Sequence, residues 1–131
     1  MKSFLAKTET KTKKKADSFW IAGRGYDKKV IALVPKAKLL FQEVRVRSGE
    51  TIPPHYHARS NEHFFVFEAK PKTKFLIGKK WFALNAGDYF VVKARTIHAV
   101  DASKIRGRGT AATFFVVKEN FAGDDSVWMK S

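Results

Sequence analysis

A chain of 131 residues with a formal charge of +14 and no cysteine has room for one domain with one core. It excludes disulfides, thiolate metal sites and cysteine nucleophiles. No run approaches the ~18 apolar residues of a bilayer-spanning helix, and MKSFLAK passes straight into KTETKTKKK without the apolar stretch of a signal peptide, so the expected location is cytoplasmic.

Residues 1–15 carry six Lys and one Glu. Such a segment has too little apolar surface to offset the entropy of ordering. It is expected to be a basic disordered tail, with an anion-contacting arm as the sharper alternative. The remainder, 16–131, is expected to be the domain. It keeps most of the positive charge, which favours an anionic small molecule by electrostatic focusing or is a general surface bias. Nucleic acid is not favoured as a partner, because no motif with a known docking geometry is present.

Asp17 to Ala22 and Lys29 to Val34 read as short strands, with turn chemistry at Gly23-Arg24-Gly25 and Asp27 between them. Leu39 to Arg47 has the cleanest alternation: Val44 and Val46 share one face, Glu43, Arg45 and Arg47 the other. Ser48-Gly49-Glu50 is a turn, and Pro53-Pro54 enforces an extended backbone. Glu62 to Ala69 is a strand. Thr73 to Ile77 and Lys80 to Leu84 form a hairpin about Gly78-Lys79, and Ala86-Gly87-Asp88 turns into the strand Tyr89 to Lys93. Ile97 to Val100 and Ala111 to Lys118 complete the strands, joined by Arg106-Gly107-Arg108-Gly109, read as a hairpin loop. Asn120 to Ser131 is ambiguous, with Trp128 able to anchor it to the body or to a second subunit. No segment keeps a 3.6-residue apolar period, and many short strands separated by turns specify a sandwich or barrel.

The chain has four histidines. His55 and His57 flank Tyr56 in the extended segment, so their side chains point the same way, about 7 Å apart along the backbone. Glu62 shares a strand face with Phe64 and Val66. If that face is interior, its charge needs a partner or a metal. His98 comes from a distant strand. Three imidazoles and a carboxylate suit one divalent transition metal: Fe, Mn, Ni, Co, Cu or Zn. Taken alone, paired histidines of this kind more often belong to a surface loop, and what shifts the balance is a family resemblance.

The run Gly49, His55-x-His57, Glu62 resembles the first motif of the cupin superfamily, and Gly87-Asp88, a strand and then His98 resemble the second. The likeness spans about residues 40 to 118. It implies an all-β fold, an antiparallel jelly-roll (double-stranded β-helix) barrel, with His55, His57, Glu62 and His98 as metal ligands inside one open end. It also implies that a homodimer is a fair expectation. The chain departs from the family where Lys93 and Arg95 stand at the usual Pro and Gly, where Ala102 replaces an Asn, and near Glu68 and Ala69, where a Gly is expected. Lys93 and Arg95 would lie near the mouth, as candidate substrate-binding cations for a carboxylate or phosphate or as solvent-exposed loop charges. His63 should point away from the site, and Phe64, Phe90, Phe114 and Phe115 should be mostly core.

The functional expectation is a metal-dependent enzyme acting on a small, anionic, oxygen-rich molecule, with dioxygenase, isomerase and lyase chemistry all open. The alternatives are a non-catalytic metal-containing barrel that binds a small ligand or carbohydrate, and a basic scaffold whose tail meets nucleic acid.

Overall fold

The computed structural model describes residues 19–130. The tail expected over residues 1–15 lies outside the described residues. Eleven strands and no helix occur among the described residues: β1 (Ile21–Ala22), β2 (Tyr26–Val34), β3 (Leu39–Arg47), β4 (Thr51–His57), β5 (Asn61–Ala69), β6 (Lys74–Ile77), β7 (Lys80–Ala83), β8 (Tyr89–Val92), β9 (His98–Asp101), β10 (Thr110–Glu119) and β11 (Ser126–Trp128). They form two antiparallel sheets, one in the order β1-β2-β3-β10-β5-β8 and the other β11-β4-β9-β6-β7. From β3 onward every connection except the β6–β7 hairpin passes from one sheet to the other. That is jelly-roll topology, and it explains why strands distant in sequence share one interior.

The alternation read in Leu39 to Arg47 is the observed one. Leu40, Gln42, Val44 and Val46 are buried, and Arg45 is exposed. β10 presents Ala112, Phe114, Val116 and Lys118 to the same interior, and β5 presents Glu62, Phe64 and Val66. On the facing sheet Phe75 is fully buried. Its ring lies against Phe64, Phe90 and Phe114 at centroid distances of 5.0, 4.7 and 6.0 Å, separations typical of favourable aromatic pairs. This cluster fills the space between the two sheets beside the site.

Some expectations change. β2 starts at Tyr26, three residues ahead of the expected strand, because Gly25 turns the chain at φ +82° directly beneath β4. A Cβ there would meet the Thr51 carbonyl oxygen at 2.0 Å, so only glycine lets this turn sit so close. Arg47 then holds the turn by donating to the Tyr26 and Gly23 carbonyls and to Asp27. The first strand shrinks to Ile21–Ala22. Arg106 to Gly109 is not a hairpin loop: β9 and β10 belong to different sheets, and the segment crosses between them. Phe115 faces outward rather than inward, with Phe41, Phe65 and Phe67 around it. The C-terminal segment anchors to the body, where β11 pairs with β4 and sets Trp128 opposite His55.

Candidate metal centre

The five-stranded sheet supplies three imidazoles. His55 on β4 and His98 on β9 are direct cross-strand partners, so their rings stand 4.1 Å apart. His57 follows two residues later on the same face, its ring 5.3 Å from each of the other two. The Pro53-Pro54 segment coincides with a register irregularity between Ile52 and His55, which re-aims this end of β4. All three rings are buried, and one ring nitrogen from each lies within 4.8 Å of the others. From the six-stranded sheet, Glu62 brings Oε1 to 3.0 Å from Nε2 of both His57 and His98. The four residues singled out in the sequence therefore converge on one point.

The proton positions follow from the outer partners. Nδ1 of His55 faces the Pro53 carbonyl oxygen at 2.8 Å, Nδ1 of His98 the Thr96 carbonyl oxygen at 3.0 Å, and Nδ1 of His57 the Asp125 carboxylate at 3.1 Å. Carbonyl and carboxylate oxygens only accept, so each Nδ1 carries the proton and donates it. Nε2 of each ring is thus the nitrogen left to face the cluster. Glu62 Oε1 has no donor aligned on it despite the two 3.0 Å contacts. A buried carboxylate oxygen facing two imidazole nitrogens, with no donor aligned on it, is an arrangement that a cation satisfies. Two donor atoms about 2.1 Å from one ion and at right angles stand about 3.0 Å apart, which is the spacing of Glu62 Oε1 to its two nitrogens. The residues present therefore fit a divalent metal, with His55, His57, His98 and Glu62 able to hold it.

Electrostatics agree. Burial, reinforced by the neighbouring His98, lowers the His55 imidazole to a pKa of about 3, keeping it neutral as a ligand must be. Burial alone would raise the Glu62 carboxyl, but His57, His98 and the Lys118 ammonium more than offset it and hold it well below the usual carboxylate range. Asp125 is buried as well, and amides of Arg59 and Ser60 on its Oδ2, each at 2.8 Å, keep it ionised.

The cluster lines a cavity that opens to solvent. Its walls are Phe64, Phe75, Phe114, Val44, Val116 and Ile52, with Trp128 lying on His55 at 4.4 Å. Its remaining polar groups are Tyr26, Lys28, Gln42, Lys118 and Ser126. Lys93 and Arg95 are exposed on the β8–β9 turn and are not among the lining residues. The turn nevertheless keeps a glycine-like shape, with Arg95 at φ 68° and its amide donating to the His57 carbonyl. His63 points outward, hydrogen-bonded to Tyr89 and Glu119.

Sequence reasoning missed Lys118, Gln42 and Lys28, although a signal existed. The period of two sets Lys118 in line with Phe114 and Val116, and Gln42 in line with Val44 and Val46. Asp125 and the role of Trp128 had no signal, since their segment shows no pattern.

Residues 42–117 match the family model described as the Cupin domain. The chain is a cupin. No curated protein matches it in sequence. The cupin is similar in structure to KdgF from Halomonas, at 20% identity and TM-score 0.64, over 79% of this chain and 89% of that one. It is similar to Streptomyces Pac13, a nucleoside dehydratase, at 16% identity and TM-score 0.66, over 86% and 84%. It is also similar to an RmlC-like cupin from Shewanella frigidimarina, at 17% identity and TM-score 0.60, over 76% and 80%. At these identities the likeness is one of fold.

Proposed function

We propose that this cupin is a metal-dependent enzyme acting on a small, anionic, oxygen-rich molecule, with His55, His57, His98 and Glu62 holding one divalent transition metal. The observation that carries the reading is the buried cluster itself: one nitrogen from each of three imidazoles and a carboxylate oxygen turned toward one another, with every Nδ1 already committed elsewhere. When bound, the metal supplies Lewis acidity toward a substrate oxygen. The chain's own groups do the rest. Asp125 fixes the tautomer and angle of His57. Trp128 lies against the His55 ring at 4.4 Å, and Phe75 stands beside the His98 ring at 6.2 Å. Tyr26 lines the cavity as a neutral phenol, its pKa raised by burial and by the carboxylates of Asp124 and Glu62. Its hydroxyl is thus a donor to a substrate oxygen. Pac13, similar in fold, has been solved with uridine, an oxygen-rich small molecule, which supports a small-molecule ligand here.

Elemental analysis of protein purified without an affinity tag tests the reading. About one equivalent of a transition metal is expected, and none in His98→Ala. A wild-type protein that holds no metal, and whose melting temperature ignores added Fe, Mn, Ni, Co, Cu and Zn, would end it.

A further inference from the structure

We propose that the inner face of the six-stranded sheet is a carboxylate-binding subsite in which Lys28 and Lys118 hold the anion and Gln42 reads a hydroxyl beside it. This rests on the metal-dependent reading above and specifies its substrate class.

Lys118 is buried at 7% exposure. Its ammonium lies 4.0 Å from Glu62 Oε2 and 5.8 Å from the centre of the Phe121 ring, and it makes no hydrogen bond among the described residues. Lys28 is half-buried on β2 in the same cavity lining, and its ammonium too makes no hydrogen bond among the described residues. An ammonium withdrawn from water with its donors unspent is costly. Two of them facing one cavity repel each other, and burial and Lys118 together lower the pKa of Lys28. Glu62 can compensate only one of them, and it is also the carboxylate turned toward the imidazoles. A divalent ion in the histidine cluster would leave the cavity with surplus positive charge, which an anionic ligand removes.

Gln42 adds an independent observation. It is 4% exposed, lines the cavity, and its Oε1 is buried with no hydrogen-bond partner among the described residues. A buried amide oxygen of this kind accepts from a ligand hydroxyl or leaves an uncompensated acceptor. Register places Lys118 and Gln42 close together, and Lys28 on β2 is the partner of Val44, two residues from Gln42 on β3. Lys118 on β10 is the cross-strand partner of Glu62 on β5 and of Leu40 on β3, and Gln42 is paired with Val116 two residues before Lys118.

The ligand class follows from which donors are present. No arginine and no glycine lines the cavity, and no helix is present among the described residues to offer an N-terminus. The forked guanidinium and the backbone-amide nest common in phosphate sites are therefore both missing. Two point-charge ammoniums and an amide in an apolar cavity match a carboxylate with a neighbouring hydroxyl.

The test uses the full-length protein as purified, with glycolate and lactate as probes, glycolamide as the neutral isostere and inorganic phosphate as the competing anion. Binding is read by calorimetry and by ligand-induced shift in melting temperature, with metal content measured on each sample. Glycolate and lactate are expected to bind, and glycolamide and phosphate to bind at least about tenfold more weakly. Lys28→Met and Lys118→Met should each weaken carboxylate binding about tenfold or more while retaining wild-type metal content, and Lys118→Arg should retain most of the binding. Gln42→Leu should weaken glycolate more than acetate, which lacks the hydroxyl. Should Lys118→Met fail to fold, Lys28→Met at its half-buried position decides alone. Equal binding of glycolamide and glycolate, preference for phosphate, or unchanged carboxylate binding in Lys28→Met would overturn the subsite. Loss of metal from the wild type would overturn the metal reading, and lysine-dependent carboxylate binding to chelator-treated protein would survive it.

Discussion

On the five-stranded side of the cavity every functional ring is tied down, and on the six-stranded side the functional groups are largely free. His55, His57 and His98 each spend Nδ1 on a fixed acceptor, and Trp128 and Phe75 pack against two of the rings. The ammoniums of Lys28 and Lys118 make no hydrogen bond among the described residues, Lys118 having instead a 4.0 Å ion pair with Glu62, and the Gln42 amide oxygen has no partner among them. Immobile imidazoles suit a metal, whose ligands must hold one geometry. Unspent donors and acceptors suit a ligand that arrives later and satisfies them. The two halves should therefore fail separately, which gives the comparison its tests.

The largest effect should come from the histidine side. Saturating metal at a hundredfold above its Kd stabilises a folded site by about 3 kcal/mol. His57→Ala and His98→Ala should abolish the corresponding rise in melting temperature in a thermal scan with and without metal. The same scan on Lys28→Met should show the rise intact, since that side chain is not one of the four that converge. A full metal-dependent shift in His57→Ala would mean that the ligand set is wrong.

Acid should attack the same side next. The His55 ring is held to a pKa of about 3, whereas its unfolded counterpart takes up a proton near pH 6.5. The unfolded chain thus binds more protons between those values, and stability falls as pH drops through that window. Glu62, held well below its usual range, adds to the loss below about pH 4.5. Urea unfolding of metal-free protein at pH 7, 5 and 4 should show a progressive fall of several kcal/mol. A flat profile would mean that His55 is not buried as a neutral ring.

A smaller effect should follow from loosening one tether without removing a ligand. Asp125→Ala takes the acceptor from His57 Nδ1 and from the Arg59 and Ser60 amides. Metal affinity, measured by chelator competition, should fall roughly 10- to 100-fold with stoichiometry unchanged. The smallest effect should be at the exposed turn. Arg95 occupies the left-handed region at φ 68°, so Arg95→Gly relieves strain of about 1 kcal/mol, offset in part by the greater freedom of glycine in the unfolded chain. Stability by urea unfolding should change by no more than about 1 kcal/mol, and glycolate binding should be unchanged.

The sequence by itself determined what depends on local order along one strand. Alternation in Leu39 to Arg47 sets an inward row, Pro53-Pro54 sets the extended run that aims His55 and His57 alike, and Glu62 falls in line with Phe64 and Val66. The same period of two sets Lys118 and Gln42 inward, in line with Val116 and Val44. The motif likeness added His98, whose distance in the chain no local rule bridges. Only the tertiary structure decided that β9 pairs with β4, that Asp125 reaches His57 from the far end of the chain, and that the cavity's cations are Lys28 and Lys118, with Lys93 and Arg95 left outside its lining. Those outcomes depend on which strands become neighbours. Pairing between distant strands is fixed by the packing of the whole barrel, so no single segment carries it.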